Sequence, residues 1–345
     1  MTFTPAMNRT ARWGIAALLA ASATGAWAQD AAMPGKGVVV HPVKSSIQEE
    51  AFQTRIVMHA LNDLGYDVKP AKEVEYPTAH IAVANGDATF LAAHWNPLHA
   101  NFYKNAGGDE KLSRTGEFST GALQGYLIDK ATADKHHLTN LGQLKDPKIA
   151  KLFDTDGDGK ADLAGCTPGW GCEEVIEHQL TAFKLRDTVT HKQGTYSALI
   201  ADVIARHKAG QPILYYTWTP YWVSGVLVPN KDTVWLEVPF SSQPGENAGK
   251  STKLPNGKDY GFQVNKQQIV ANKAFVQAHP DAGVLFAEMK VSVNDINAQN
   301  LRMNQGEKSS DDIDRHVEAW IKANRTTYDG WLADARQAAA DSSAK

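Results

Sequence analysis

The sequence predicts an α/β protein, because short apolar strands alternate with stretches of helical periodicity along most of the chain. Three stretches carry the expectation. Gly37-Val38-Val39-Val40 reads as a buried strand. Phe52, Ile56, Ala60 and Leu64 then recur on one helical face, behind Ser46-x-x-Glu49, which has the spacing of a capping box. Gly65 ends that helix, and Tyr66-Asp67-Val68 resumes as strand. Thr89 to Ala93 is apolar again and runs straight into His94-Trp95-Asn96-Pro97-Leu98-His99. Ligands of open α/β sheets bind where strands end, so that junction is a candidate site.

The later elements follow the same logic. Gly121 to Asp129 reads as an extended crossing segment, with a helix over Lys130 to His137. Ala198 to Ile204 suggests an amphipathic helix. Pro212 to Tyr216 is a strand that runs into Thr217-Trp218-Thr219-Pro220, so Trp and Pro recur at a strand end. Tyr260 to Val264 reads as a second crossing strand, and Phe275 to His279, Pro280 to Met289 and Asp311 to Arg336 as helices before a frayed Ala/Ser-rich end. Two crossings divide the chain into a first lobe from 29–125 and 260–345 and a second lobe from 126–259.

Residues 1–28 stand outside the fold. Arg9 and Arg12 precede an apolar stretch, and Ala26-Trp27-Ala28 fits the small-x-small pattern of signal-peptide cleavage after Ala28. Ser22, Thr24 and Gly25 dilute the stretch too far for a membrane span. No Cys lies at the junction, which excludes a lipid anchor there and points to a protein retained in a Gram-negative periplasm. The segment carries two arginines and no acid, so its removal takes the formal charge from −3 to −5. A mildly acidic chain without a basic run is not a nucleic-acid binder. The two cysteines, Cys166 and Cys172, are expected to pair in an oxidising compartment, the alternative being two free thiols. Closing so short a loop adds little global stability and instead fixes a local shape.

Four features carry chemistry. Trp95, Trp170 and Trp218 sit at strand ends or, for Trp170, inside the cysteine loop between Gly169 and Gly171. Tryptophan is ordinarily a core residue, but Trp170 on such a loop has little core to enter. Three indole faces would attract a cation by roughly 0.5–2 kcal/mol each, and a trimethylammonium group, with no N–H to donate, suits such a cage. Second, Gly171 and Cys172 open a helix marked by Ile176, Leu180 and Phe183, whose free first-turn N–H groups form a carboxylate site. Glu173 and Glu174 favour the same dipole and would have to point away. Third, His99, four residues after Trp95, could donate to that carboxylate; the plainer reading is a structural or exposed histidine. Fourth, Asp154 to Asp162 resembles the first nine positions of a calcium loop, with Gly159 at the sharp turn but Gly165 where the bidentate Glu belongs. Asp154, Asp156, Asp158, the Lys160 carbonyl and Asp162 could hold Ca²⁺, or form a solvated acidic turn. No further cofactor is implied, and G-x-S-x-G, H-E-x-x-H, phosphate-loop and haem-attachment patterns are missing from the sequence.

These stretches together resemble the periplasmic glycine betaine-binding subunit of the glycine betaine/L-proline ABC transporter. The likeness rests on Gly86-Asp87-Ala88-Thr89-Phe90, Trp95-x-Pro97-Leu98-His99, Leu144 to Ala150, Phe153 to Asp162, Pro168-Gly169-Trp170-Gly171-Cys172, Tyr215 to Trp222 and Asp295 to Asn300, with Pro34-Gly35-Lys36-Gly37. It implies a type II periplasmic binding protein: two α/β lobes with a ligand cleft between them. It implies that the trimethylammonium sits among Trp95, Trp170 and Trp218, that His99 and the amides of Gly171 and Cys172 hold the carboxylate, and that Cys166 and Cys172 are bridged. Proline betaine is the second ligand implied, and the partners are an inner-membrane permease and its ATPase. Choline, carnitine and related quaternary amines are the alternative ligands, and a calcium-dependent periplasmic enzyme is the alternative from another class. The calcium loop is not part of what the resemblance implies.

Overall fold

The computed structural model describes residues 1–2 and 33–344. The expected signal peptide and its cleavage after Ala28 lie outside the described residues. Among those residues, no helix is long and apolar enough to cross a membrane.

Twelve strands are described in chain order: β1 (Val39–Val40), β2 (Pro42–Lys44), β3 (Asp67–Val68), β4 (Lys72–Glu73), β5 (Phe90–Asn96), β6 (Leu112–Ala122), β7 (Gln124–Asp129), β8 (Ala161–Ala164), β9 (Val189–Lys192), β10 (Leu214–Trp218), β11 (Thr233–Leu236) and β12 (Asn265–Asn272). They build two five-stranded sheets, ordered β4-β2-β5-β12-β6 and β11-β7-β10-β8-β9, beside a small β1-β3 pair. In the first sheet β4, β2 and β5 are parallel, and β12 runs antiparallel between β5 and β6. In the second, β10, β8 and β9 are parallel while β7 opposes β10 and β11. The chain leaves the first sheet with β6, enters the second with β7 and returns with β12. This is a two-lobed α/β architecture with two crossings.

The sheets explain why their strands read as continuous apolar runs. Six of the seven residues of β5, and all of β7 and β10, are buried, as expected for strands covered by helices on both faces. The helix Glu50–Asp63 packs Phe52, Ile56, Val57, Ala60 and Leu61 into the first lobe's core. The C-terminal helices join it there through Val317, Tyr328 and Trp331, with the Phe52 and Trp320 rings meeting edge to face at 6.5 Å. A second apolar core fills the other lobe and continues across the cleft to Val43, Tyr76 and Trp95.

Several local expectations change. Ser46-x-x-Glu49 is not a capping box: Glu49 is the N-cap residue in a helical conformation with no side-chain cap bond. Ser45 is the neighbour that acts, its hydroxyl donating to Glu50 and accepting the Ile47 N–H. Tyr260 to Val264 is not a strand; pairing begins at Asn265. Gln124 and Gly125, assigned by pattern to the first lobe, already belong to β7 of the second sheet. Asp311 to Arg336 is two helices, Ser310–Ala323 and Arg325–Ser343, broken at Asn324. The second continues through the Ala/Ser-rich tail expected to fray, because Ala is the strongest helix former.

Candidate functional site

The two sheets present their strand ends to one another across the cleft. From the first lobe, β5 ends at Trp95-Asn96 and turns through Pro97 and Leu98 into His99. From the second, β10 ends at Trp218 and runs into Thr219-Pro220. Both X–Pro bonds, Asn96–Pro97 and Thr219–Pro220, are cis. Trp170 arrives from a third direction, as the N-cap residue of the helix Gly171–Ala182. The three tryptophans, His99, Gly171 and Gln124 are among the residues lining one pocket in the cleft. Each indole is at least nine-tenths buried, with 5%, 7% and 5% exposure for Trp95, Trp170 and Trp218. Burial alone would not distinguish them from core residues; the shared cavity does.

Their geometry is that of a box. Trp170 and Trp218 meet at 79° with ring centroids 5.8 Å apart, forming a corner. Tyr221 stacks behind Trp218 at 4.2 Å, and Tyr196 lies 4.7 Å from the same ring. Trp95 is the wall from the opposite lobe, its Nε1–H donating to Glu50 Oε1 at 2.9 Å. Rings fixed by such partners present their faces without further ordering cost.

The anion side is equally specific. Cys166 and Cys172 are disulfide-bonded, with Cα atoms 6.1 Å apart. The bridge ties the loop to the first turn of the helix. His191 secures the other end, Nε2 accepting the Cys166 N–H at 3.0 Å and Nδ1 meeting Glu177 at 2.7 Å. Among the described residues the N–H groups of Gly171 and Cys172 have no acceptor, as befits a helix N-terminus that waits for an anion. The two first-turn acids do turn elsewhere: Glu173 accepts the Gly169 N–H at 2.8 Å, and Glu174 accepts Asn101 Nδ2 at 3.0 Å. Gly171 has no alternative at its position. A Cβ there would fall 2.8 Å from Leu98 Cγ and 3.1 Å from His99 Cδ2.

His99 is buried, with 1% exposure. Its Nδ1 accepts the Trp95 backbone N–H at 3.2 Å, so in the neutral ring the proton resides on Nε2. Burial, with His80 nearby, holds its pKa well below the usual histidine range. The ring is therefore a neutral Nε2–H donor at physiological pH. Behind it runs a directional chain: Arg114 Nη1 donates to His94 Nε2, His94 Nδ1–H to His80 Nε2, and His80 Nδ1–H to the Tyr76 carbonyl. His80, His94 and His99 lie close enough for a metal by distance, but that chain occupies both nitrogens of the first two.

The cross-cleft contacts belong to a closed arrangement. Trp170 Nε1–H donates to Glu75 Oε2 at 3.1 Å, Asn247 Nδ2 to the Pro97 carbonyl at 2.8 Å, and Lys104 pairs with Glu246. Sequence reasoning missed Glu50, Glu75 and Gln124. Gln124 Oε1 accepts from Tyr216 at 2.7 Å, while its Nε2 is buried without a partner among the described residues. An orphan amide lining a cavity is a free donor for a ligand. The signal for these residues is three-dimensional, since nothing in Glu49-Glu50 or Val74-Glu75 distinguishes them from surface acids.

The acidic loop lies elsewhere in the second lobe. The carboxylates of Asp154, Asp156 and Asp162 come within 4.8 Å of one another. Asp158 is not part of that group and accepts the Lys160 N–H at 2.8 Å. Asp154 accepts the Gly157 and Gly159 amides at 2.7 and 2.8 Å, and Lys192 Nζ pairs with Asp156 at 2.5 Å and with Asp162 at 3.1 Å. Of the expected calcium ligands, Asp154, Asp156 and Asp162 come together, and in this arrangement the loop's own amides and the Lys192 ammonium bond to their oxygens.

The chain is 58% identical over 323 residues to the glycine betaine-binding periplasmic protein OusX of Dickeya dadantii (strain 3937), covering 94% of this chain and 97% of that one. It is 58% identical over 303 residues to the glycine betaine/proline betaine-binding periplasmic protein of Escherichia coli (strain K12), covering 88% and 92%. Among solved structures it resembles lactococcal OpuAC in its closed-liganded conformation with glycine betaine, with a TM-score of 0.64 and 18% identity over 86% of this chain and 99% of that one. An ABC-transporter choline-binding protein in complex with choline gives 0.65 and 18% over 88% and 97%. At such identities the likeness establishes the fold, that of type II periplasmic binding proteins. Residues 39–323 match the substrate-binding domain of ABC-type glycine betaine transport systems, and the chain belongs to that family.

Proposed function

We propose that this protein captures glycine betaine, and proline betaine with it, in the periplasm and delivers it without chemical change to the permease of an osmoprotectant ABC importer. The observation that carries the reading is the convergence on one cavity of three tryptophans and a neutral Nε2–H donor, beside two free helix amides. The tryptophan box suits a cation that cannot donate hydrogen bonds. His99 Nε2–H and the amides of Gly171 and Cys172 suit a carboxylate a short distance away. Both halves are supplied across the cleft, so the ligand stabilises the closed form by its differential affinity for it. A permease that distinguishes closed from open then reads ligand occupancy. Export by the N-terminal segment, with cleavage after Ala28, belongs to the same proposal. The periplasmic naming of the relatives supports it.

The test is calorimetric titration with glycine betaine, proline betaine and choline, with tryptophan fluorescence in parallel. Both betaines are expected to bind and to perturb the emission, and choline, lacking the carboxylate, to bind more weakly. Equal binding of choline would remove the anion half of the site from the argument. No binding by either betaine would reject the reading as a whole.

A further inference from the structure

The polar edges of two of the three cage tryptophans point at carboxylates. Trp95 Nε1–H donates to Glu50 Oε1 at 2.9 Å, and Trp170 Nε1–H donates to Glu75 Oε2 at 3.1 Å. Tyr221, which stacks on the third tryptophan, lines the groove outside the cage together with Trp222 and Glu49. All three acids come from two short segments of the first lobe, beside β2 and β4. They serve walls from both lobes.

Each placement runs against an easier local alternative. Glu75 is the N-cap residue of the helix Tyr76–Asn85, yet its side chain makes no cap bond and reaches across the cleft instead. Glu50 is 2% exposed, and three donors converge on it: Ser45 at 2.6 Å, Tyr76 at 2.6 Å and Trp95. These donors favour the ionised carboxylate, while burial pushes its pKa up to about 7, so the charge on Glu50 is complete only above neutral pH. The adjacent Lys44 is occupied by Glu73 at 2.6 Å. Outside the cage, a groove of about 1250 Å³ is lined by Glu49, Glu73 and Glu75 and one cation, Lys308.

We propose that Glu50 and Glu75 are specificity residues that select a cationic head over a neutral head of the same shape, by placing negative charge behind the rings of Trp95 and Trp170. An indole N–H shared with a carboxylate leaves the ring face more electron-rich, which strengthens its attraction for a cation. The carboxylates add a direct attraction through a low-dielectric wall. Neither acid touches the ligand. They act through the tryptophans, and a neutral head of equal size gains nothing from them. The inference rests on the tryptophan cage of the proposed function.

The probe is tert-butylacetate, in which a carbon replaces the quaternary nitrogen of glycine betaine. The measurement is the ratio of its dissociation constant to that of glycine betaine at about pH 9, where Glu50 is ionised, in the full chain and in Glu75→Gln and Glu50→Gln. Glutamine keeps an acceptor for the indole N–H and removes the charge, so closure and ring orientation are retained. The ratio is expected to fall about tenfold in each variant, through weaker betaine binding with tert-butylacetate little changed. An unchanged ratio, whether both ligands keep or lose affinity together, overturns the proposal. If Glu50→Gln does not fold, Glu75→Gln, whose carboxylate is only part-buried, decides alone. Trp170→Ala separates the two levels: wild-type betaine affinity in that variant rejects the cage itself, whereas weakened binding there with an unchanged ratio in Glu75→Gln rejects only the charge behind it.

Discussion

The two strand ends that meet at the cavity repeat one pattern, a tryptophan followed by a cis-proline, but they are held by different means. Trp95 of the first lobe is anchored through its N–H to buried Glu50, and its backbone N–H fixes the tautomer of His99. Trp218 of the second lobe is held by rings, with Tyr221 stacked at 4.2 Å and Tyr196 at 4.7 Å. The first lobe thus contributes charge and a neutral hydrogen-bond donor. The second contributes aromatic surface and, through the disulfide loop, oriented amides. A zwitterion demands both kinds of wall, and dividing them between lobes means neither lobe alone offers a complete site.

The largest expected effect comes from breaking the aromatic half. Trp170→Ala removes one wall and the Glu75 bond across the cleft, and should weaken glycine betaine binding by at least about 2 kcal/mol, some thirtyfold. The fold should survive, because Trp170 lines a cavity rather than the middle of a core. Calorimetry beside a thermal melt checks both statements. The polar half comes next. His99→Ala should cost glycine betaine about 1.5–3 kcal/mol, the range for a hydrogen bond to a charged group, while choline affinity stays nearly constant. An equal loss for both ligands would assign His99 to packing against Tyr76, whose ring centroid lies 4.2 Å away, rather than to the carboxylate.

The pH dependence of stability separates the lobes in another way. Burial pushes the Glu50 carboxyl up to about 7 and the His80 imidazole down to about 4, and holds His94 and His99 well below the usual range. The signs are opposite. A raised carboxyl contributes stability that is complete below its unfolded pKa near 4.5 and is lost as pH rises through 7. A depressed imidazole contributes stability that is complete above 6.5 and is lost as pH falls through 4. Both act in the first lobe and overlap between pH 4 and 7. Subtracting the stability profile of Glu50→Gln from that of the wild type isolates the carboxyl. The difference should decline by about 3 kcal/mol between pH 4.5 and 7 and be flat above 8. A flat difference throughout would mean that the three donors on Glu50 fully offset its burial.

Much of this was legible in the sequence, and the remainder has physical reasons for being hidden. The apolar runs of β5 and β10 and the Trp-x-Pro that ends each marked the site, because strands buried on both faces carry a strong local signal. The cysteine loop and the helix after it were legible from spacing. The inward acids were not. Glu50 and Glu75 look like any acids at the start of helices, and only tertiary placement sends one into the core and the other across the cleft. The broken C-terminal helix escaped notice because Asn324 interrupts a continuous amphipathic pattern without Gly or Pro. The capping-box motif misled for the opposite reason: a short pattern matched while the backbone placed the N-cap at Glu49, three residues after Ser46. The acidic loop shows the same limit, since its Asp spacing is visible and the lysine that answers it lies thirty-odd residues away on β9.

That lysine gives the smallest expected effect and a last contrast between the lobes. Lys192 Nζ bridges Asp156 and Asp162, whose side chains are 46% and 3% exposed, and these hydrogen bonds raise its own pKa and lower that of Asp156. A fixed ammonium among three carboxylates provides the positive charge that a divalent ion would otherwise supply. The second lobe should therefore be indifferent to metal, and chelation should leave the melting temperature and betaine affinity of the wild type unchanged. Lys192→Met removes the ammonium and leaves the buried Asp162 carboxylate beside like charges. A small drop in melting temperature is expected, well below the effect of breaking a fully buried pair, because Lys192 and Asp156 are solvated. In that variant added calcium should recover part of the loss. A wild-type melting temperature that falls on chelation would instead place a metal in the loop and make Lys192 its neighbour rather than its substitute.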